Sequence, residues 1–433
     1  MESSIWHSAE ALPLQHCVTN APLPARGYCS ILKLLINTDS ATRNLAPQFT
    51  IDIGGPTEYD IRMITRLYVN NFRCLVNFKA EFNSFAVLCG PNGAGKSSVF
   101  DALRLLRNLG TGDALLGGTG ENDIPGLEFT EWLDSKVQQF ELGLSVEGCA
   151  FEYAIHIEQT FNAEMPRVIH EKALCDGQPL FERNTEGVRF LRADGNQAFF
   201  PLDWRQAALR AIEPRGVHIS KLKLLQEEIA KLLILRPNPR SMERESKAEA
   251  RYPDLSMVNL TSWYRSLYQE QEWGDALRRL LRDVWPDFQS FKLVDAGMNT
   301  KALQLRFEGE TGKPTLLFFE HLSDGERALI GLYMVRAALE TGAARTVLLD
   351  EPDNFVGLPE LQPWVLSMRE ILDDKHQLVV ISHHPEILSN SGGENGRYLW
   401  RDNHTSPTRI GPLNVPDGMT TGEAVARGWV GGE

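Results

Sequence analysis

Gly90-Pro91-Asn92-Gly93-Ala94-Gly95-Lys96-Ser97-Ser98 is the stretch on which the fold turns. In its GxxxxGK[ST] spacing, glycines let successive backbone N–H groups point inward around phosphate oxygens. A helix starting at the end of the loop adds its positive pole. Lys96 is expected to reach the β- and γ-phosphates of a nucleoside triphosphate, and Ser97 to ligate Mg²⁺. The flanks agree with this. Phe85–Cys89 is a short apolar strand leading into the loop, and Lys96–Arg107 carries Val99, Leu103 and Leu106 on one helical side.

Three further strings follow in order: HLSDGER from His321, TVLLDEPDN from Thr346 and VVISHHPE from Val379. In the second of these, an apolar strand ends in two acids. Asp350 is placed to hold the Mg²⁺ shell and Glu351 to polarise an attacking water, because phosphoryl transfer needs positioning and charge neutralisation more than covalent help. Two acids at a strand end are common by themselves; downstream of a phosphate loop they gain meaning. In the first string, Ser323 is expected to cap the helix that runs from Arg327 to Leu339. With the Gly325 backbone it offers N–H donors to an anion. In the third, His383 follows an apolar strand and is expected to sense the γ-phosphate, although spacing alone does not separate it from His384. A glutamine linking the metal to the neighbouring strands is Gln138 or Gln139, which alternation puts on opposite faces.

Composition sets the outer limits. At 433 residues, with 42% apolar and 23% charged residues, the chain suits one large or two smaller soluble α/β domains. No apolar run reaches the roughly 20 residues that span a bilayer, so no membrane contact is expected. Six scattered cysteines, Cys17, Cys29, Cys74, Cys89, Cys149 and Cys175, offer no zinc-ribbon or redox pair spacing and fit a reducing, cytoplasmic setting. A net charge of −13 argues against general coating of nucleic acid. Direct DNA contact would need a local patch. The best candidate is Arg205–Arg251, where Lys and Arg outnumber Asp and Glu by 11 to 6. A solvated helical face explains that segment equally simply.

Along the chain, residues 1–62 lack periodicity and read as a poorly ordered extension. Residues 63–201 read as a first ATPase lobe: strands from Met63, the loop, and an antiparallel β-subdomain at Phe140–Val146, Phe151–Ile157 and Val168–Leu174. Residues 202–290 read as a helical insert, with Lys221–Leu235 amphipathic for about four turns and too short for a sustained coiled coil. Residues 291–410 form a second lobe that opens with strands over Phe291–Phe307, and 411–433 form a tail. The fold class is α/β, with both subdomains inserted between the glycine loop and LSDGE.

These four strings, with Asn71-Phe72-Arg73 near the first strand, resemble an ABC-type P-loop ATPase of the RecF/SMC/OLD branch. Trp263-Tyr264-Arg265, DEPDNFVGLPELQPW and Ala426-Arg427-Gly428-Trp429 look like compact bacterial AAA-family ATPases, which are similar to the ATPase halves of antiphage defence systems. The resemblance implies ATP and Mg²⁺ as cofactors and Arg73 near the nucleotide. It implies a homodimer in which Ser323 and Gly325 of one copy complete the site that Lys96, Ser97, Asp350 and Glu351 form in the other. It also implies a separate nuclease or Toprim-like effector, since the tail after Arg401 holds too few acids for a fused Toprim domain. Two departures stand out. LSDGE replaces the commoner LSGGE, which implies slower turnover, and Gly357-Leu358 replaces His-Pro in the loop expected to cross the dimer. A RecF-like clamp that binds DNA directly is the alternative expectation, and a scaffold glued by unhydrolysed ATP a third.

Overall fold

The computed structural model describes residues 62–430, apart from 121, 160–164, 193–194, 214–216, 310–311, 373–374, 417 and 428–429. The chain divides near Gly55, and all described residues belong to the unit Pro56–Glu433. The expected extension over 1–62 lies almost wholly outside the described residues, as do Cys17, Cys29 and the end of the Ala426–Trp429 string.

The centre is a six-stranded sheet. Its strands, in spatial order, are Leu232–Leu235, Thr346–Asp350, Gln377–Ile381, Phe85–Cys89, Gly396–Trp400 and Arg409–Pro412. The first five are parallel, and only the last runs antiparallel. Strands covered on both faces read as continuous apolar runs, and every residue of the first four is buried. Alternate residues serve different cores. Ala86, Leu88, Leu348, Val379 and Ile381 pack with the P-loop helix Lys96–Thr111. Phe85, Val87, Val347, Leu349 and Val380 pack with the signature helix Asp324–Glu340. The two helices therefore lie on opposite faces of one sheet.

An eight-stranded antiparallel sheet continues from the P-loop side. It holds Arg62–Asn70 and Phe78–Glu81 together with Val137–Val146, Cys149–Glu158, Arg167–Cys175 and three shorter strands ending at Phe200, so the β-subdomain expected before residue 201 is present. Buried Gln377 ties the two sheets together: its Oε1 accepts from the Ile64 N–H at 2.9 Å, and its Nε2 donates to the Ile64 and Asn83 carbonyls.

Two expectations need correction. The segment 202–290 is not a helical insert throughout. The helix Val217–Ala230 stops before Leu235, and Leu232–Leu235 is an edge strand of the central sheet, paired in parallel with Thr346–Leu349. Four consecutive apolar residues continue a helical stripe or fill a two-sided strand equally well, so the pattern could not decide between them. The boundary at 410 also cuts the strand Arg409–Pro412. Beyond it the tail is anchored, since Thr420 and Glu423 form a capping box on Thr421–Ala426, and Leu413, Ala424 and Val430 are buried.

Candidate nucleotide site

Each parallel strand delivers a functional residue just past its C-terminal end: Gly90, Arg236, Asp350 with Glu351, Ser382 with His383, and Arg401. Open α/β sheets bind ligands at that edge. Pairing sets the alignment, with Asp350 beside Ile381 and Ile381 beside Leu88.

The P-loop is shaped by its surroundings. Gly90 sits at φ 145° against Leu399, where an added Cβ would lie 2.0 Å from the Leu399 carbonyl oxygen. Gly95, at φ 96°, is pressed against Thr408 and Cys74 in the same way. Ala94 is buried, and its carbonyl accepts from the Thr408 hydroxyl at 2.9 Å. The Lys96 ammonium is held inside the loop, donating to the Gly90 carbonyl at 2.8 Å and the Pro91 carbonyl at 3.1 Å. Burial lowers its pKa, and Glu351 and Asp350 act in the opposite direction.

A cavity of about 840 Å³ opens above the loop, lined by Asn92, Gly93, Gly95, Lys96, Ser97, Ser98, Arg73 and Glu351. Its far wall was not foreseen from the sequence. Glu128, Phe129, Glu131, Trp132, Arg401 and His404 complete it, and the Arg401 guanidinium lies 5.4 Å from the Trp132 ring centre. Arg401 also donates to the Gly93 carbonyl at 3.2 Å. Buried Asn71 holds this wall in place: its amide donates to the Ser135 and Val137 carbonyls, and its Oδ1 accepts from the Thr130 N–H. Arg73 has a positive φ of 50° and is paired with Asp101 and Glu128.

On the carboxylate side, Asp350 is buried and hydrogen-bonded to Ser97. Burial raises its pKa, while Arg236 and Ser97 pull it back. The Arg236 Nε donates to Asp350 Oδ2 at 2.7 Å. A serine hydroxyl beside a carboxylate is the hard-oxygen donor set that Mg²⁺ takes, with water and phosphate oxygens filling the remaining positions; the residues fit, with Arg236 competing for one oxygen. The sequence reading missed Arg236. Its signal was a charge directly after a buried apolar run, the same pattern that marked Asp350.

Glu351 has a left-handed φ of 50°, a strained conformation that persists where the surroundings fix it. Its N–H donates to the Ile381 carbonyl at 2.9 Å, and its Oε2 accepts from the Asn354 amide at 2.9 Å. Of the two histidines, His384 is committed to structure, its Nδ1 accepting the Glu386 N–H at the start of Pro385–Asn395. His383 is the one in the field of the site. Partial burial and then Lys96 lower its pKa, against the opposing pull of Glu351 and Asp353. Ser382 braces this edge by donating to Asp353 Oδ1 at 2.8 Å.

Four expected residues, Gln138, Gln139, Ser323 and Gly325, do not line the cavity. Gln138 is buried, with its amide on the Glu128 carbonyl at 2.8 Å; Gln139 faces Asn70, and neither lines the P-loop cavity. The strand start that carries them is held behind Asn71 and the Glu128 loop. Ser323 and Gly325 lie on the other face of the sheet. Ser323 is exposed and caps its own helix in a capping box with Glu326, while Gly325 approaches the Phe355 carbonyl.

Most of the described basic residues of Arg205–Arg251 are engaged in ion pairs. Arg205 pairs with Asp203, Lys221 with Asp176, Lys223 with Glu227, Lys231 with Glu228, Arg236 with Asp350, Arg240 with Asp324, and Arg244 with Glu320 and Glu245.

Residues 85–389 match the family model described as "AAA domain, putative AbiEii toxin, Type IV TA system". The chain belongs to this AAA-domain family. No curated protein matches the sequence. Among solved structures, the Smc head bound to the C-winged helix domain of ScpA is similar at 15% identity and TM-score 0.50, covering 82% of this chain and 99% of its own. The SMC head domain from Thermotoga maritima (15%, TM-score 0.45) covers 81% of this chain and 99% of its own. The Smc head with an extended coiled coil from Pyrococcus furiosus (14%, TM-score 0.47) covers 82% and 97%. This AAA-domain protein therefore has the fold of an Smc head. Among the described residues no helix is long and apolar enough to cross a membrane.

Proposed function

We propose that two copies of this chain close around ATP, hydrolyse it in composite sites and part again, and that this cycle controls a separate effector in antiphage defence or DNA surveillance. One observation carries the reading. The P-loop helix and the signature turn lie on opposite faces of one sheet, so Ser323 and Gly325 do not line the cavity that Lys96, Ser97 and Glu351 line. A second copy supplies what a single copy cannot bring to its own cavity.

Within each site, Lys96 leaves its loop carbonyls for phosphate oxygens. Glu351, held by Asn354 and the Ile381 carbonyl, orients the attacking water. Neutral His383 sits beside them. Ser97 and Asp350 would hold a Mg²⁺ ion, which would supply charge neutralisation at the phosphates. The Trp132–Arg401 wall faces the rest of the nucleotide. A separate effector such as a nuclease or Toprim-like protein suits a chain whose described residues assemble one catalytic edge. The family description, which names a toxin of a type IV toxin–antitoxin system, is compatible with a two-gene arrangement. A RecF-like clamp on DNA is the weaker reading, because most of the charges of Arg205–Arg251 are already paired.

Complementation tests the composite site. Lys96→Ala and Ser323→Arg proteins are each expected to be inactive, and an equimolar mixture should regain activity, because each heterodimer holds one intact site. A mixture as inactive as its parents, with wild-type protein monomeric in ATP by light scattering, would sink the proposal.

A further inference from the structure

Behind the P-loop helix lies a second cavity, of about 450 Å³, bounded by the helix's C-terminal half, the edge strand Leu232–Leu235 and the loop from Arg251 to Asn259. Three guanidiniums face it, from Arg104, Arg107 and Arg251. Their charge is poorly compensated. Arg107 is mostly buried, a burial that works against its charge, and its nearest acid is Asp113 at 3.5 Å. The Nε atoms of Arg107 and Arg104 are buried without a hydrogen-bond partner, and Arg104 has only a long contact to Asp101, 3.9 Å away. Arg251 is exposed and makes no ion pair among the described residues. The other carboxylate of the cavity, Asp254, is committed to the Val258 and Asn259 N–H groups at 2.8 and 3.2 Å.

Tyr252 spaces the cations. The Arg107 and Arg251 guanidiniums lie 5.3 and 5.2 Å from its ring centre. One Arg107 terminal nitrogen donates to Asn108 Oδ1 at 3.0 Å, while its Nε is unpartnered and the Arg251 edge is exposed. Cations with unmade hydrogen bonds around a nucleotide-sized cavity are what a phosphate group satisfies, since guanidinium forks match phosphate oxygens two at a time. We propose that this cavity is a second anion site that takes a small phosphomonoester of nucleoside-monophosphate size. A nucleic-acid strand is disfavoured by the cavity's dimensions, by the net charge of −13 and by the ion pairing of the other basic residues nearby.

The site is wired to the nucleotide edge. The Leu255 carbonyl, in the cavity's loop, accepts the Arg236 N–H at 2.6 Å, and the Arg236 side chain holds Asp350. An occupant drawing Arg251 inward therefore pulls on the strand end that restrains the carboxylate.

Calorimetry on full-length protein tests this, with AMP and inorganic phosphate as probes and chloride at equal ionic strength as the control. The Lys96→Ala protein should still bind AMP, with millimolar or tighter affinity. Arg251→Gln should weaken AMP about tenfold or more while leaving ATP affinity and unliganded Tm unchanged, and Arg251→Lys should recover part of the loss. Arg107→Gln should abolish AMP binding, but Arg251, being exposed, decides the matter if that variant fails to fold. AMP binding that vanishes in Lys96→Ala, or is indifferent to Arg251, overturns the proposal, as does no binding of either probe at about 10 mM. Preference for a 5′-phosphorylated oligonucleotide over AMP, dependent on Arg251, overturns it in favour of a strand end. ATP binding measured in parallel on Arg251→Gln keeps failure here distinct from failure of the composite ATP site.

Discussion

The P-loop edge and the signature turn are built on different principles, although both begin a helix. The P-loop enters its helix through Gly95 in a left-handed conformation, with no side-chain cap, and the ammonium of Lys96 is folded back onto loop carbonyls. The signature helix begins with an ordinary capping box, its Ser323 hydroxyl satisfied by Glu326. The first holds three glycines at positive φ and a lysine whose burial lowers its pKa; the second is exposed, with its cap satisfied within its own helix. In the composite site proposed above, the half that meets the phosphates is held by its own fold, and the half proposed to dock is exposed.

The sharpest way to break this comparison is to remove the charge of the P-loop half. Lys96→Ala is expected to weaken ATP binding about 100-fold or more, ~2.7 kcal/mol, measured by calorimetry. Unchanged affinity would show that the loop is not the phosphate seat. Glu351→Gln should leave ATP affinity intact, lower turnover by about 10²–10⁴-fold and accumulate ATP-bound dimers in light scattering.

Ser323→Arg probes the other half. It loses a cap, for about 1 kcal/mol of stability, and should keep monomer ATP affinity while abolishing both dimers and turnover. A loss of ATP affinity in the monomer would place the turn in its own chain's site. Arg236→Ala leaves Asp350 buried without its partner. The cost should be roughly 1–3 kcal/mol in Tm measurements without metal, below the value for a fully buried pair because Arg236 is 45% exposed.

The smallest effect concerns His383. Its pKa lies below the ordinary 6.5, so the unfolded chain takes up this proton first. The contribution to stability is complete above about pH 6.5 and is lost as the pH falls through the folded-state value. His383→Gln should flatten that acid limb in both stability and turnover, and an unaltered pH profile would remove His383 from the site.

Much of the site could be read directly. Gly90–Ser98, Asp350 and Glu351 are local strings in which spacing and chemistry coincide, and the Ser323 cap followed from a serine just ahead of the helical run at Arg327–Leu339. Residues whose role depends on what lies across the sheet could not be read. Leu232–Leu235 looked helical because four apolar residues carry no period. Arg236 and the Trp132–Arg401 wall are distant in sequence from the loop they face. Gln138 and Gln139, the two candidates for a metal-linking glutamine, start a strand held behind Asn71 and Glu128, and neither lines the cavity.

By itself the sequence determined that a phosphate loop, two carboxylates at a strand end and a capped signature helix are present and in order, because each is a matter of backbone conformation and neighbouring side chains. The tertiary structure decided how they are shared out. Alternate residues of each buried strand face opposite cores, so the sheet itself puts the P-loop helix and the signature helix on different sides. That separation arises from the twofold repeat of a strand packed on both faces, and no local string encodes it.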